Sequence, residues 1–128
     1  MLVENNAAAT IAVRDTDAAR KFYQDTLGLK PGPNKEDGVL AFQSGESSVL
    51  VYKSQFAGTN KATAATWFVG DDIDGIVAEL KKKGISFEHY DMPNVERRGD
   101  LHIAGDMKAA WFKDPDGNIL SLVNQAPR

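Results

Sequence analysis

The chain contains one short pattern twice, and this internal repeat constrains the fold more than any other feature. Residues 11–29 read as an apolar strand ending at Asp15, an amphipathic helix and a glycine, Gly28. Residues 67–85 repeat that order, with Asp71 and Gly84 at the matching positions and one common offset, 71 − 15 = 84 − 28 = 56. A repeat of this length is half a small domain. We therefore expect two related halves that face each other and enclose a cavity between two sheets.

Composition narrows the range of partners and chemistries. The 128 residues suit a single domain, and the net charge of −3 argues against a general nucleic-acid partner, which would meet a basic surface. The absence of cysteine excludes disulfides, thiolate metal ligands and a catalytic thiol. There is no leader pattern, and no apolar run approaches the roughly 18 residues of a membrane span. We expect a cytoplasmic protein with no membrane partner.

Periodicity predicts the elements of the first half. A strand over residues 7–14 leads to Asp15, whose carboxylate is placed to cap a helix. That helix carries an apolar stripe that ends near Gly28, a residue suited to a left-handed stop (Ala19, Phe22, Tyr23 and Leu27). A loop at 31–34 precedes two strands, 39–43 and 49–53, which form a hairpin.

The second half follows a polar connection at 54–62. A strand over 63–69 leads to a helix that begins near Asp72 and has apolar residues at helical spacing (Ile73, Ile76, Val77 and Leu80). We predict a strand at 85–90, a loop at 91–99, a strand within 101–112, a turn at 114–117 and a last strand at 119–123. The order is βαβββ twice, in a single domain 1–128 with modules at about 7–57 and 62–124.

Three stretches resemble the vicinal oxygen chelate superfamily, which includes glyoxalase I, bleomycin resistance proteins and extradiol dioxygenases. They are Val13-Arg14-Asp15, then Phe22-Tyr23 with Leu27-Gly28-Leu29, and above all Phe112-Lys-Asp-Pro-Asp-Gly-Asn-Ile-Leu-Ser-Leu122. The resemblance covers roughly residues 7–124. It implies an α+β, glyoxalase-like fold with two curled mixed sheets around a central cavity and the helices outside. It also implies a homodimer.

The resemblance also locates the positions where metal-dependent members of the family hold a divalent cation with His, Gln or Glu. Here those positions hold residues without a metal-binding side chain, or a single hydroxyl (Ala8 or Ala9, Leu50 or Val51, Ala64 or Ala65, and Ser121). Neutral hydrocarbon side chains offer no donor to a hard cation. We expect no metal and no cofactor. A nonstandard site built from His89, His102 and Asp106 is a less favoured alternative.

If the cavity holds no cation, it suits a small organic ligand. From the alternation of strand faces we predict the ligand-binding residues Thr10, Val51, Phe56, Trp67, His102, Trp111 and Ser121. Trp67 and Trp111 would flank a planar ligand by stacking, and Phe56 would act as a lid. The alternatives are that both indoles belong to the sheet core and that Phe56 lies in an ordinary turn.

The two histidines are compatible with an enzymatic hypothesis. His89 and His102 each lie near carboxylates in the sequence and are candidate general bases, although a structural role is equally consistent with the pattern. The favoured hypothesis is a metal-free protein that binds a small, planar organic molecule. The alternative is a lyase, isomerase or dioxygenase with a nonstandard metal site or metal-free acid–base catalysis by a histidine. A third hypothesis is an interaction module without a ligand.

Overall fold

A computed structural model describes residues 1–33 and 38–125, and these form two compact units. The first contains residues 1–64 with the segment 114–118, and the second contains residues 65–113 with the chain from residue 119 onward. The end of the loop predicted at 31–34 lies outside the described residues. The predicted α+β class is confirmed. The predicted βαβββ order holds in the first half, whereas five strands follow the helix of the second half. No helix in the described ranges has the length and apolar character needed to cross a membrane.

The first unit is a four-stranded sheet with one helix. Its elements are β1 (Ala9–Val13), α1 (Thr16–Arg20) continued by a π-helical turn (Lys21–Thr26), β2 (Lys30–Pro31), β3 (Val39–Ser44) and β4 (Ser47–Lys53). The strand order is β1-β4-β3-β2. β1 pairs with β4 in parallel, and the remaining pairs are antiparallel.

The helix of the first unit begins and ends where its sequence predicts. Asp15 Oδ1 accepts hydrogen bonds from the backbone N–H of Asp17 at 2.9 Å and of Ala18 at 3.3 Å, which satisfies donors that have no partner within the helix. Gly28 ends the helix with a φ of 77°, a backbone conformation that glycine adopts without strain. Tyr23 packs beneath the sheet with its ring centroid 6.1 Å from that of Phe42.

The predicted turn at 114–117 is confirmed, and its network anchors it in the first unit. Buried Asp114 accepts hydrogen bonds on Oδ2 from the hydroxyl of Tyr23 at 2.7 Å and from the side-chain amide of Asn118 at 2.8 Å. Its Oδ1 accepts the backbone N–H groups of Asp116 and Asn118 at 2.9 Å. Asn118 also donates to the carbonyl of Ala12 at 2.7 Å. Because every Asp114 oxygen is paired, the carboxylate is tolerated in the interior.

The second unit is a six-stranded sheet with one longer helix. Its elements are β5 (Thr63–Phe68), a short 3-10 turn (Gly70–Asp72), α2 (Ile73–Lys82), β6 (Phe87–Glu88), β7 (Glu96–Arg98), β8 (Leu101–Ala104), β9 (Met107–Lys113) and β10 (Ile119–Val123). The strand order is β5-β10-β9-β8-β7, and β6 also pairs with β9.

The second unit departs from prediction along residues 85–112. The strand predicted at 85–90 is limited to β6, the loop predicted at 91–99 contains β7, and residues 101–112 form a hairpin of β8 and β9 that turns at Gly105 and Asp106. β7 has three exposed charged residues, so it lacks the apolar alternation that marks a strand in sequence. Its backbone pairing to β8 alone makes it a strand.

One face of this sheet forms the core against α2. The helix buries Ile73, Val77 and Leu80. Lys108 of β9 forms an ion pair with Asp74 of α2 at 3.6 Å, which identifies the face of β9 that looks toward the helix. By alternation and register, the same face presents buried apolar residues from five positions (Phe87, Ala110, Phe112, Leu120 and Leu122).

Candidate ligand-binding site

Three aromatic side chains cluster on the second unit. The ring centroids of His102 and Trp111 lie 4.9 Å apart with the rings nearly perpendicular. Tyr90 lies 5.5 Å from Trp111 and 6.0 Å from His102. The two pairs that include Trp111 have edge-to-face geometry, a favoured arrangement of aromatic rings. We call these three residues the aromatic cluster.

Strand register places the aromatic cluster on the sheet face opposite α2. Trp111 is the register partner of Ser121 on β10 and of Glu88 on β6, while His102 is the partner of Ala109 on β9. Trp111 follows Ala110, whose side chain is directed toward α2, so the indole leaves the other face. We call this surface the open face of the second sheet.

His102 is held in one orientation, and its hydrogen bond fixes the tautomer of the neutral ring. The imidazole is only 2% exposed, and its Nε2 accepts the backbone N–H of Tyr90 at 2.9 Å. A nitrogen that accepts a hydrogen bond carries no proton, so in the neutral ring the proton lies on Nδ1. Nδ1 is buried and has no hydrogen-bond partner among the described residues. A buried donor without a partner is costly, which makes this N–H the feature of the cluster that most needs an acceptor.

This arrangement bears on the predicted catalytic role of His102. The lone pair on Nε2 is engaged by the Tyr90 N–H, and Nδ1 carries the proton. In this state neither nitrogen can accept a proton from a substrate, although Nδ1 can donate a hydrogen bond. The geometry therefore favours a ligand-positioning role for His102 over a general base.

Two hydroxyl groups extend the open face beside Trp111. The Oγ of Ser121, a predicted ligand contact, lies 2.6 Å from the Oγ1 of Thr66 on β5. Because side chains alternate along a strand, Trp67 leaves β5 on the side opposite Thr66. The two tryptophans therefore occupy opposite faces of this sheet, and the stacking of one ligand between them does not fit the geometry. The prediction that Trp67 shares a face with the ligand-binding residues was therefore off by one residue along β5, and Thr66 takes that place.

The charged residues at this end of the open face are partly neutralised. Glu88, in the same row as Trp111, pairs with Lys113 at 3.3 Å between Oε1 and Nζ. Arg97 of β7 is the register partner of His102 and is exposed. Its neighbour Arg98 is the partner of Leu101 and belongs to the other face. Arg97 is thus the cation next to the imidazole on this face.

His89 is not part of the aromatic cluster. Its Nε2 lies 2.8 Å from Oδ1 of Asp100, whose Oδ2 also pairs with Lys81 at 2.8 Å. The Lys81 ammonium, and to a smaller extent the His89 imidazole, hold the pKa of Asp100 below its usual range. The His89 side chain is about half exposed, and the three groups link the end of α2, the segment after β6 and the turn before β8.

The predicted site residues of the first unit lie apart from one another. Val51 is fully buried and is the register partner of Ile11 and Leu40, on the face that also carries Phe42 against Tyr23. This placement makes it a core residue and does not fit a ligand contact. Thr10 is exposed on the other face of β1, and Phe56 is exposed in the segment after β4.

The alternative metal site finds no counterpart in the described residues. His89 pairs with Asp100 and His102 with the backbone of Tyr90, while Asp106 lies in the β8–β9 turn. Within residues 1–33 and 38–125, no group of three or more His, Asp or Glu side chains is placed to hold a metal ion.

Sequence reasoning missed two residues of the open face. Tyr90 lies two positions after Glu88, so continued alternation from β6 could have placed it beside Trp111. Thr66 was missed because the inward-facing residues of β5 were taken to be Ala65 and Trp67 rather than Ala64 and Thr66. No sequence signal identifies Asp100 as the partner of His89, since the two are brought together by the irregular path between β6 and β8.

Comparison with known proteins agrees with this architecture. The family model of the Glyoxalase/Bleomycin resistance protein/Dioxygenase superfamily matches residues 6–122. The protein YetH of Bacillus subtilis is 23% identical, covering 94% of this chain and 98% of its own. A bleomycin-binding protein, solved in complex with bleomycin, is 20% identical with a TM-score of 0.70, covering 95% of this chain and 99% of its own. The fosfomycin resistance protein FosX of Mesorhizobium loti is 14% identical with a TM-score of 0.68, covering 96% and 93%.

Proposed function

The chain belongs to the Glyoxalase/Bleomycin resistance protein/Dioxygenase superfamily, and from this premise we propose that it binds a small planar organic molecule without the help of a metal. The observation that carries the proposal is the aromatic cluster on the open face of the second sheet. Trp111 offers a large apolar ring, and His102 and Ser121 supply polar groups beside it. A few convergent polar groups on an aromatic surface are typical of small-molecule sites.

One of the likenesses supports binding as the activity, and a second offers a contrasting ligand chemistry. One structurally similar protein is described as binding bleomycin and another as conferring resistance to fosfomycin. Bleomycin has planar heteroaromatic rings, whereas fosfomycin is a small aliphatic epoxide. An aromatic surface gains more from stacking on a planar ring than from contact with a short aliphatic chain. The aromatic cluster therefore favours the first kind of ligand.

The donor chemistry of this chain does not fit the divalent cation of the metal-dependent family members. The residues at the matching positions are alanine, leucine or valine, which have no ligating side-chain atom, and Ser121, whose hydroxyl is engaged by Thr66. We therefore derive no step through a metal. Binding energy would come from apolar burial, at about 25 cal/mol per Å² before ordering costs, and from the polar contacts.

The test is a thermal-shift screen with and without a chelator. The panel contains bleomycin, fosfomycin and neutral or anionic bicyclic aromatic compounds. We expect at least one aromatic member to raise the Tm equally in both conditions and fosfomycin to leave it unchanged. Trp111→Ala should abolish the shift, and Trp67→Ala, on the opposite face, should retain it. A shift that requires metal, or that survives Trp111→Ala, contradicts the proposal.

We further propose that the protein works as a cytoplasmic homodimer. Two large aromatic side chains, Phe56 and Phe68, are more than half exposed and are candidates for burial on association. Sedimentation equilibrium at micromolar concentration should give twice the chain mass of 13.9 kDa. A monomer at that concentration would refute the dimer and leave the binding proposal intact.

A further inference from the structure

We infer that the molecule bound on the open face is an aromatic carboxylate, whose ring lies on Trp111 and whose carboxylate accepts the Nδ1–H of His102 beside the guanidinium of Arg97. This inference rests on the proposed binding function and names its ligand class. The observation behind it is the Nδ1 of His102. This nitrogen has no hydrogen-bond partner among the described residues, although only 2% of the residue is exposed.

The hydrogen bond at Nε2 of His102 identifies the ligand group that would face Nδ1 as an acceptor. Because Nε2 accepts the Tyr90 N–H at 2.9 Å, Nδ1 presents a hydrogen and a ligand must bring a lone pair to it. A hydrogen-bond donor on the ligand, such as an ammonium group, would be repelled by this N–H. The carbonyl or carboxylate oxygen of a ligand would satisfy it.

Arg97 selects an anionic acceptor over a neutral one. Arg97 and His102 are directly opposed on β7 and β8, where Cβ atoms lie about 5 Å apart and the side chains leave the same face. Arg97 forms no ion pair with another described residue, whereas Glu88 on this face is already paired with Lys113. A carboxylate at Nδ1 would therefore meet an available cation rather than an unpaired anion, and a guanidinium is well shaped to bind it.

The segment that holds Tyr90 borders both other members of the aromatic cluster. Tyr90 follows β6 and precedes β7, so it belongs to neither strand, and its ring borders both His102 and Trp111. A ligand ring that replaces Tyr90 against the indole would bring its substituent to the imidazole. The Tyr90 backbone N–H would keep its bond to Nε2 during such a side-chain movement.

The experiment compares two probes on the same ring system, 2-naphthoate and 2-acetonaphthone, with dissociation constants measured by NMR titration. The first carries a carboxylate and the second a neutral carbonyl. On the wild-type protein we expect 2-naphthoate to bind about tenfold more tightly, the effect of one charge-assisted contact. Equal affinity for the two probes would overturn the inference.

Matched variants separate the two contacts. The amide nitrogen of asparagine lies near the position of Nδ1, whereas the amide of glutamine lies near that of Nε2. His102→Asn should therefore retain most of the affinity for both probes, and His102→Gln, which still accepts the Tyr90 N–H, should weaken both by about tenfold. Arg97→Gln should weaken 2-naphthoate alone, and Arg98→Gln, on the other face, should change neither. Equal losses in Arg97→Gln and Arg98→Gln would contradict the role of Arg97.

Trp111→Ala distinguishes this inference from the proposed function. If both probes bind and depend on Trp111 but ignore His102→Gln and Arg97→Gln, binding at the cluster stands and the ligand class is wrong. If neither probe binds, this inference fails and the thermal-shift panel decides the proposed function. If binding does not depend on Trp111, both proposals fail. Circular dichroism of each variant establishes that it is folded before its affinity is compared.

Discussion

At the scale of single residues, burial and hydrogen bonding separate side chains that look alike in the sequence. His89 and His102 both have carboxylates nearby in the chain, but His89 is a partly exposed partner of Asp100 and His102 is a buried partner of a backbone N–H. Trp67 and Trp111 likewise fall on opposite faces of one sheet. Residue identity predicts candidate site residues, but the sheet face on which each side chain lies decides which of them meet. A shift of one residue along the strand reverses that face.

Gly58 occupies a position where any side chain would clash with neighbouring backbone. Its φ is 71°, and a Cβ built there would overlap the carbonyl oxygen of Asp116 in the same unit. Gly58→Ala should lower the free energy of unfolding by at least about 2 kcal/mol, because backbone strain and a steric clash add. Urea unfolding measures the change.

Gly45→Ala is the matched control for this prediction. Gly45 also has a positive φ, 57°, but a Cβ there would meet nothing within 4 Å. It should cost about 1 kcal/mol, the effect of backbone conformation alone. Equal losses for the two variants would mean that the approach to Asp116 is unimportant.

Tyr23 tests the buried network around Asp114. Tyr23→Phe removes the hydroxyl that donates to Asp114 Oδ2 at 2.7 Å and should lower the free energy of unfolding by about 1–3 kcal/mol at neutral pH. Burial, with the nearby Asp114 carboxylate, raises the pKa of Tyr23 above its ordinary value of 10.0. Stability from a raised pKa is present below the unfolded value and is lost as pH rises, so the difference between wild type and variant should narrow above pH 10. A difference that widens there would contradict this account.

At the scale of elements, regular periodicity was a reliable guide and irregular pairing was not. Helix α1 follows from its capping residue and apolar spacing, and α2 from apolar spacing alone. The β3–β4 hairpin and the 114–117 turn follow from turn chemistry. The path from β6 to β9 could not be predicted in this way. β7 is a short charged edge strand, and the β8–β9 turn contains only one glycine and an aspartate. Long-range pairing decides that region, and local sequence does not encode it.

The ion pair between α2 and the β7–β8 turn gives a prediction at this scale. Lys81 lowers the pKa of Asp100 from its ordinary value of 3.8. A depressed aspartate pKa contributes stability above the unfolded value and loses it as pH falls through the folded value. Lys81→Met should therefore be less stable than wild type at pH 7, and the difference should shrink as pH falls below 3.8.

Urea unfolding across pH 2–7 measures that difference, and Lys82→Met serves as the control. Lys82 lies on the same last turn of α2 and forms no ion pair among the described residues. Its substitution should have little effect at any pH. A Lys81→Met effect that is independent of pH would rule out the link to Asp100.

At the scale of the whole molecule, the repeat and the family resemblance predicted the fold class, and the family match over residues 6–122 agrees with it. Three of the seven residues expected to contact a ligand, His102, Trp111 and Ser121, meet on the open face of the second sheet. Tyr90 and Thr66 join them because of register and chain path, which depend on pairing between distant segments.

The proposed binding of a planar ligand on Trp111, beside His102, can be observed at the indole itself. The most direct measurement is a ¹H–¹⁵N NMR titration of the uniformly labelled protein with 2-naphthoate, with the two indole N–H signals assigned by Trp67→Phe. We predict that the Trp111 indole signal and the Tyr90 amide signal shift together and saturate, while the Trp67 indole signal stays in place. A saturating shift of the Trp67 signal alone, or no saturating shift of Trp111, would contradict the account.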